Sequence, residues 1–181
     1  SYVDPYKNTI ADPKRRIFAG MLSAVDEGIK NVTDALRGKG MLDSTTIIFT
    51  SDNGGPILGG DAVGARNWPM KGGKHSIWEG GVRATAFVSG AGISDKMKGT
   101  HYDELMHGAD WFSTLSDVAG YDLENTLPLD SVSQWSGISG NNGGNRKGNS
   151  PRTSLVLGNA TNLCSWPQGD PRRAKYNEVE I

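Results

Sequence analysis

TTIIFTSDNGG, residues 45–55, carries the strongest signal for the architecture of this chain: β-branched and apolar residues lead into an abrupt polar turn. The apolar run shows no clean alternation, which is typical of a strand buried on both faces. We therefore predict a strand of a parallel sheet that is covered by helices. Because ligands of open α/β sheets lie beyond the carboxyl ends of strands, Asp52 and Asn53 are the first candidates for a functional site.

A long amphipathic helix is predicted ahead of this strand, from about Asp12 to Arg37. Asp12 suits the N-cap and Pro13 the first helical position. Gly38 and Gly40 follow as glycines that end a helix. We expect the apolar face to lie on another apolar surface; it consists of Ile17, Met21, Val25, Ile29, Val32 and Leu36. A helix followed by a buried strand is half of an α/β unit, so the predicted fold class is α/β.

The rest of the chain alternates between loops and short elements. We predict a glycine-rich loop over residues 54–73, a second strand over 83–89, a short helix over 109–119, a surface loop over 137–152 and a short strand over 154–157.

Composition excludes several classes of function. The 181 residues carry a net charge of −1, so there is no basic excess to bind nucleic acid. The apolar runs are far shorter than the ~20 residues that span a bilayer, so no membrane span is predicted. No signal peptide is visible at the first residue, Ser1. The single cysteine, Cys164, is either a free thiol or half of a disulfide to a segment outside these residues.

Two groups of residues offer binding chemistry, one for a metal cation and one for an anion. Asp52 and Asn53 place side by side the oxygen donors that Ca²⁺ or Mg²⁺ prefers, although Asp-Asn-Gly-Gly is also a strong turn sequence. Lys74 follows Gly72 and Gly73, which let the backbone approach a ligand closely. Its ammonium group suits a sulfate or phosphate oxygen, and a solvated surface lysine is the alternative.

Other polar residues are interpreted first as structural. We expect a Glu79–Arg83 ion pair to fix the loop before the second strand. His107 and Asp110 could form a site pair, but we favour an ordinary polar histidine and an N-cap carboxylate. His75 receives no role.

The order of these segments resembles that of a known family. TIIFTSDNGG, NWPMKGGKHSIWEGGVR, HGADWFSTLSDVAG and LPLD are similar to motifs of the type I, formylglycine-dependent sulfatases. The arylsulfatase B branch is most similar, because it places Asn-Trp-Pro before the lysine and Trp-Glu-Gly-Gly-Val-Arg after it. Residues 67–69 and 78–83 match these two motifs. The resemblance covers residues 16–130, including the predicted long helix, and is weaker over 150–159.

The resemblance implies part of an alkaline phosphatase-like sulfatase sheet flanked by helices, with a partial catalytic domain over 1–130 and a loop-rich continuation over 131–181. It implies hydrolysis of sulfate esters, on a sulfated glycan or an aryl group, with calcium and a formylglycine nucleophile. Matched by position, Asp52 and Asn53 are calcium ligands. Lys74 contacts the sulfate and the formylglycine, and stabilises charge without transferring a proton.

The chain departs from the family at the nucleophile. The Cys-x-Pro-x-Arg motif that becomes formylglycine is absent, and Cys164 lies in CSWPQ, without the required arginine. The family's N-terminal calcium ligands, Lys-x-His element and substrate histidine would all precede Ser1. We therefore expect a fragment without the N-terminal half, inactive alone and weak in calcium binding, with the N-terminal segment as a candidate partner. An inactive protein that binds anionic sugars and a phosphate-ester hydrolase of the same superfamily stay open as alternatives.

Two N-glycosylation sequons occur, at Asn31-Val32-Thr33 and Asn159-Ala160-Thr161. Together with the resemblance they predict a glycoprotein of the secretory route, either lysosomal or extracellular.

Overall fold

The computed structural model describes residues 1–57, 64–140 and 150–157. Its helices and strands are α1 (Pro13–Gly38), β1 (Thr46–Thr50), α2 (Glu79–Val82), β2 (Ala86–Gly90), α3 (Asp110–Val118) and α4 (Trp135–Ser139). Short 3-10 helices lie at Asp4–Tyr6, Leu42–Ser44 and Asp95–Met97. Helices and strands mix along the chain, as the predicted α/β class requires.

The chain divides into two compact units. The first contains Ser1–Lys39 and Thr50–Ala86, and the second contains Gly40–Phe49 and Phe87–Val156. Every described residue of the candidate calcium and sulfate site belongs to the first unit. The predicted division of the chain near residue 130 stays a prediction.

The first unit begins with the long helix that the sequence predicts. Asp12 is the N-cap of α1, and its carboxylate accepts the backbone N–H of Lys14 at 2.9 Å. This bond satisfies one of the free N–H groups of the first turn. Beyond the last helical residue, Gly40 adopts a φ of +67°, a left-handed conformation that glycine adopts without strain. Local signals therefore set both ends of α1.

The apolar face of α1 has a different outcome. Ile17, Met21, Val25 and Val32 are between 45% and 59% exposed. Ile29 and Leu36 of the same face are half-buried, so the described residues supply only part of the apolar surface on which the amphipathic pattern predicts that α1 lies. The contacts of α1 include the N-terminal segment, where the hydroxyl groups of Tyr6 and Ser23 lie 2.6 Å apart, and the carbonyl oxygen of Gly64, which accepts from Arg15 at 3.0 Å.

β1 and β2 form a two-stranded antiparallel sheet. The N–H of Ala91 donates to the carbonyl oxygen of Thr45, and the N–H of Ser51 donates to that of Thr85, both at 2.9 Å. Pairing of early with late residues in this way defines opposite strand directions. The prediction of a parallel strand buried on both faces is wrong here.

Burial explains the difference. β1 is half-buried, with Thr50 exposed, and its Phe49 ring stacks on Phe87 of β2 at 5.3 Å between centroids. An apolar composition makes a strand suitable for burial, but its actual burial depends on which other elements pack against it. β2 begins at Ala86, three residues later than predicted, because Arg83 is the C-cap of α2 and its N–H donates to the carbonyl oxygen of Glu79.

The second unit contains the predicted short helix and one that was not predicted. α3 agrees with the expected span, and Gly120 follows it with a φ of +68°. α4 overturns the first part of the surface loop predicted over residues 137–152, because Gly137, Ile138 and Ser139 are helical and buried. Residues 141–149 lie outside the description. The strand predicted over 154–157 is wrong, since that segment is neither helix nor strand.

Candidate functional site

The chain turns sharply at Asp52–Gly55, directly after β1. Asp52 Oδ1 accepts the backbone N–H of Asn53 at 2.9 Å, and Asn53 Nδ2 donates to the carbonyl oxygen of Gly54 at 2.8 Å. These bonds confirm that the sequence forms a turn. Asp52 is exposed and Asn53 is half-buried. The turn thus presents a carboxylate and an amide oxygen from consecutive residues.

Three glycine pairs meet beside this turn, in an arrangement that we call the glycine junction: Gly54-Gly55, Gly72-Gly73 and Gly80-Gly81. Backbone hydrogen bonds connect the segments, from Gly54 N–H to Gly81 O at 2.8 Å and from Gly80 N–H to Lys71 O at 2.7 Å. Side chains have no room in this packing. A Cβ on Gly54 would lie 1.7 Å from Gly80 O, and one on Gly73 would lie 2.5 Å from Gly55 O.

The glycine junction changes the interpretation of the pair before Lys74. We expected Gly72 and Gly73 to let the backbone approach a ligand. The close approach is instead to other backbone, since a Cβ on Gly81 would lie 2.4 Å from Gly73 O. The same packing explains why the segment after Trp78 contains two glycines, which the sequence left unexplained.

Lys74 lies at the edge of the glycine junction. Its backbone N–H donates to the carbonyl oxygen of Gly55 at 3.2 Å, and its side chain is exposed. Among the described residues, no carboxylate lies within ion-pair distance of its ammonium group. One hydrogen bond therefore joins the Lys74 backbone to the turn that carries Asp52 and Asn53. The next residue, His75, has a φ of +75°, which is uncommon outside glycine.

Asn67 connects the two segments, a role that sequence reasoning missed. Its Oδ1 accepts the N–H of Gly55 at 2.9 Å, and its Nδ2 donates to the carbonyl oxygens of Gly55 at 2.9 Å and Gly72 at 3.0 Å. The Asn-Trp-Pro motif marked this residue only as part of a family resemblance. A signal was available in the sequence: Asn67 lies between two glycine-rich segments. Such segments offer backbone groups and few side chains, and a side-chain amide both donates to and accepts from backbone groups.

α2 is fixed by charged and aromatic groups. The ammonium group of Lys71 lies 4.3 Å from the ring centroid of Trp78, a cation–π contact just before the helix. The predicted Glu79–Arg83 ion pair is confirmed at 3.6 Å. Both side chains are exposed, so the pair contributes at most about 1 kcal/mol.

The donors at the turn fit calcium in kind but not in number. Asp52 and Asn53 offer the oxygen ligands that this ion prefers. Calcium takes about six to eight oxygens, and no cluster of three or more His, Cys, Asp or Glu side chains occurs in residues 1–57, 64–140 and 150–157. These two residues would supply only part of a coordination shell.

The second unit holds a different polar cluster, centred on Asp110. This carboxylate is fully buried and receives two hydrogen bonds from the guanidinium group of Arg152, at 2.7 and 2.5 Å. The backbone N–H groups of His107 and Val132 donate to it at 2.8 and 3.0 Å. Asp110 is therefore structural, as favoured, but it is not an N-cap: Ala109 is the N-cap of α3, and Asp110 is its first helical residue. Arg152 was missed, because it lies 42 residues away in sequence.

The pKa of Asp110 records the strength of this cluster. Burial raises the pKa of the carboxyl, but the hydrogen bonds from Arg152 and from the backbone of His107 and Val132 outweigh it. The pKa of Asp110 falls to about 2, so the group stays ionised across the physiological range. A buried charge of this kind needs such partners to persist.

The remaining predicted residues are placed as follows. Asn31, the first sequon asparagine, is exposed on α1. Asn159 and Cys164 lie outside the described residues. No described helix is long and apolar enough to cross a membrane.

Comparison with known proteins identifies the family. The sulfatase family model matches residues 2–121, well over half of the chain. This protein therefore belongs to the sulfatase family, and the match is consistent with a segment of a type I sulfatase. Membership in a family of sulfuric ester hydrolases follows from the same match.

Individual relatives agree. The chain is 42% identical over 139 residues to arylsulfatase J of Mus musculus, which covers 76% of this chain and 22% of that protein. It is 33% identical over 126 residues to the uncharacterized sulfatase YdeN of Escherichia coli (strain K12), covering 70% of this chain and 21% of that protein. The chain thus spans about a fifth of the length of these relatives.

A solved structure confirms the fold. The crystal structure of Ps i-CgsB in complex with k-i-k-neocarrahexaose matches 76% of this chain and 29% of its own, at 30% identity and a TM-score of 0.67. The alkaline phosphatase-like α/β fold expected of a sulfatase is therefore confirmed for this segment.

Proposed function

We propose that this chain forms part of a calcium-dependent sulfatase that hydrolyses sulfate esters. The observation that carries the proposal is the hydrogen bond from Lys74 N–H to Gly55 O, which joins the lysine loop to the turn of Asp52 and Asn53. A cation and two oxygen donors on adjoining segments suit a site for an anion beside a metal. Membership in the sulfatase family makes sulfate the favoured anion.

Each residue has a distinct task in this proposal. The exposed ammonium group of Lys74 neutralises charge on the sulfate oxygens, which grows as the ester bond breaks. Asp52 and Asn53 hold one side of the calcium ion through their oxygens. When present, calcium supplies Lewis-acid charge neutralisation, and a formylglycine on another segment of the protein supplies the nucleophile. The chain described here contributes binding and electrostatics.

The names of the relatives bear on the substrate. One is an arylsulfatase, and the solved structure of Ps i-CgsB holds a neocarrahexaose. We propose accordingly that the ester lies on a carbohydrate or on an aryl group. Both leave the sulfate group exposed to the same cation and metal, so Lys74 is expected to act alike on either.

The decisive experiment compares two forms of the protein. The 181-residue chain and a longer product of the same gene are assayed on an aryl sulfate and an aryl phosphate, with calcium and with a calcium chelator. We expect no turnover by the chain alone, and calcium-dependent sulfate release by a longer product that carries Cys-x-Pro-x-Arg. Turnover by the pure chain, or cleavage of the phosphate alone, would refute the proposal. A longer product that binds the sugar without cleaving it would favour a binding protein.

Calcium affinity tests the ligand assignment separately. We expect weak binding by the isolated chain, because Asp52 and Asn53 supply too few oxygens. A tight calorimetric titration that Asp52→Ala abolishes would show that the described residues already form a full site.

We also propose that the protein follows the secretory route to a lysosome or the extracellular space. Asn31 is exposed on α1, as a glycosylated asparagine must be. Protein secreted from cultured cells is expected to shift in gel mobility after treatment with an N-glycosidase, and to lose part of that shift in Asn31→Gln. Unglycosylated protein found only in the cytosol would contradict this proposal.

A further inference from the structure

We propose that Asn67 is the positioning residue of this site: its side-chain amide sets the Lys74 loop against the turn that carries Asp52 and Asn53. This inference rests on the proposed function for its chemistry. Its structural part stands on three hydrogen bonds, two to Gly55 and one to Gly72, at 2.9–3.0 Å.

The carbonyl oxygen of Gly55 is the central atom. It accepts Asn67 Nδ2 at 2.9 Å and the backbone N–H of Lys74 at 3.2 Å. Asn67 Oδ1 holds the N–H of the same glycine. The Asn67 amide therefore binds both the N–H and the carbonyl oxygen of Gly55. It fixes the orientation of the backbone group to which the Lys74 N–H is hydrogen-bonded.

The second link reaches the lysine loop itself. Asn67 Nδ2 also donates to the carbonyl oxygen of Gly72, two residues before Lys74. A Cβ on the intervening Gly73 would lie 2.9 Å from this nitrogen, so the amide fits closely between the two segments. Asn67 is half-buried, so these bonds are partly shielded from water.

Ser76 provides a contrast within the same loop. Its hydroxyl donates to the carbonyl oxygen of Gly73 at 2.8 Å and accepts the N–H of that glycine at 3.2 Å. These bonds shape the loop but do not extend to the turn after β1. Ser76→Ala is therefore a matched control that removes side-chain hydrogen bonds from the loop and leaves the link to Gly55 intact.

Position matters because the side chain of Lys74 is exposed and long. Its backbone, set by the Gly55 bond, decides which volume the ammonium group samples. A shift of about 1 Å in a positioning element reduces the rate by up to about 100-fold. Loss of Asn67 is therefore expected to lower catalysis through Lys74, without contact between Asn67 and the substrate.

The first test does not depend on catalysis. Amide hydrogen exchange is measured by NMR in the 181-residue chain, with the Lys74 amide as the reporter because it bonds to Gly55 and not to Asn67. We expect its exchange to accelerate about tenfold in Asn67→Ala, from the loss of about one hydrogen bond of support, and to change little in Ser76→Ala. If Asn67→Ala fails to fold, Asn67→Asp keeps the acceptor and removes both donors. Unchanged protection of the Lys74 amide would overturn the proposal.

The second test uses whichever longer form hydrolyses an aryl sulfate. Asn67→Ala, Lys74→Ala and the double variant form a cycle on kcat/KM. If Asn67 acts through Lys74, Asn67→Ala lowers kcat/KM tenfold or more in the wild-type background and by less than about twofold in the Lys74→Ala background. Independent, multiplicative effects would refute the positioning role. Absence of hydrolysis by every form would refute the proposed function alone, and the exchange result would still decide the role of Asn67.

Discussion

The two units of this chain hold polar groups in opposite ways. In the first, Asp52 and Lys74 are exposed side chains mounted on backbone that the glycine junction packs tightly. In the second, Asp110 is fully buried, and five hydrogen bonds from donors of the described residues reach its carboxylate. The first arrangement leaves charged groups accessible to a ligand, and the second pairs them within the protein.

This difference teaches how to interpret a shifted pKa. The pKa of Asp110 is lowered to about 2, which by itself invites assignment as a functional carboxylate. The guanidinium group of Arg152 already satisfies it, and hydrogen-bonded partners from the backbone complete the shell. The candidate site is recognised instead by closely packed backbone beside exposed side chains, of which Lys74 has no ion-pair partner among the described residues. Four experiments test this contrast.

The largest expected effect comes from breaking the buried pair. Arg152→Ala leaves the Asp110 carboxylate buried without its cation, which costs about 3–5 kcal/mol in the free energy of unfolding. Urea denaturation measures this loss. The double variant Asp110→Leu/Arg152→Met, which removes both charges, is expected to recover much of it. A loss below about 1 kcal/mol in Arg152→Ala would show that the pair is not the structural centre of its unit.

Lys74→Ala tests the opposite case, a residue that contributes to activity and not to the free energy of unfolding. In a form that hydrolyses an aryl sulfate, we expect kcat/KM to fall about 100- to 1000-fold, the cost of removing one group that stabilises transition-state charge. The free energy of unfolding is expected to stay the same, since the ammonium group has no ion-pair partner among the described residues. Lys39→Ala, at the end of α1, is the control for loss of a surface lysine. Equal losses in both variants would remove Lys74 from the site.

The glycine junction makes a third prediction. Gly54→Ala introduces a Cβ that would lie 1.7 Å from Gly80 O, so the backbone must move. We expect a loss of about 3 kcal/mol, at the upper end of the cost of overpacking. Gly28→Ala on α1 is the matched control, because nothing lies within 4 Å of its Cβ position. It is expected to stabilise the helix by about 0.5–1 kcal/mol. Thermal or urea unfolding of both variants measures the difference, and a neutral Gly54→Ala would show that the junction is loose.

Local signals predicted part of this fold correctly. Asp12 and Pro13 determined the start of α1, and the glycines after α1 and α3 determined their ends, because caps depend on neighbouring residues. The β1 sequence misled us, since an apolar run does not reveal how many strands will pair with it. The Asp110–Arg152 pair was also beyond reach, because its partners meet only in the folded chain.

The candidate site shows the same limit. The motif order pointed to Asp52, Asn53 and Lys74, and the structure brings their segments together through Gly55. What holds those segments was not readable from spacing. The bonds of Asn67 run to backbone groups, which every residue possesses, so no residue type marks the partner in the sequence.

The smallest expected effect is acid sensitivity, which again separates the two kinds of carboxylate. The folded-state pKa of Asp110 is about 2, against an ordinary value of 3.8, so its contribution to stability is complete above pH 3.8 and is lost as the pH falls towards 2. The difference between the two pKa values corresponds to roughly 2 kcal/mol. Urea unfolding of wild type and Asp110→Asn is measured between pH 6 and pH 2. We expect the difference between their free energies of unfolding to narrow below pH 3.8.

Asp34 is the matched control for this titration. Its pKa is also lowered, chiefly by a hydrogen bond from Lys30, but its side chain is exposed on α1, where solvent screens the interaction. Asp34→Asn is therefore expected to leave the pH dependence of unfolding nearly unchanged. If instead both variants change the pH dependence of the free energy of unfolding by the same amount, burial does not make the Asp110 pair stronger than a surface pair. The contrast between buried, paired charges and exposed ones would then be wrong for Asp110.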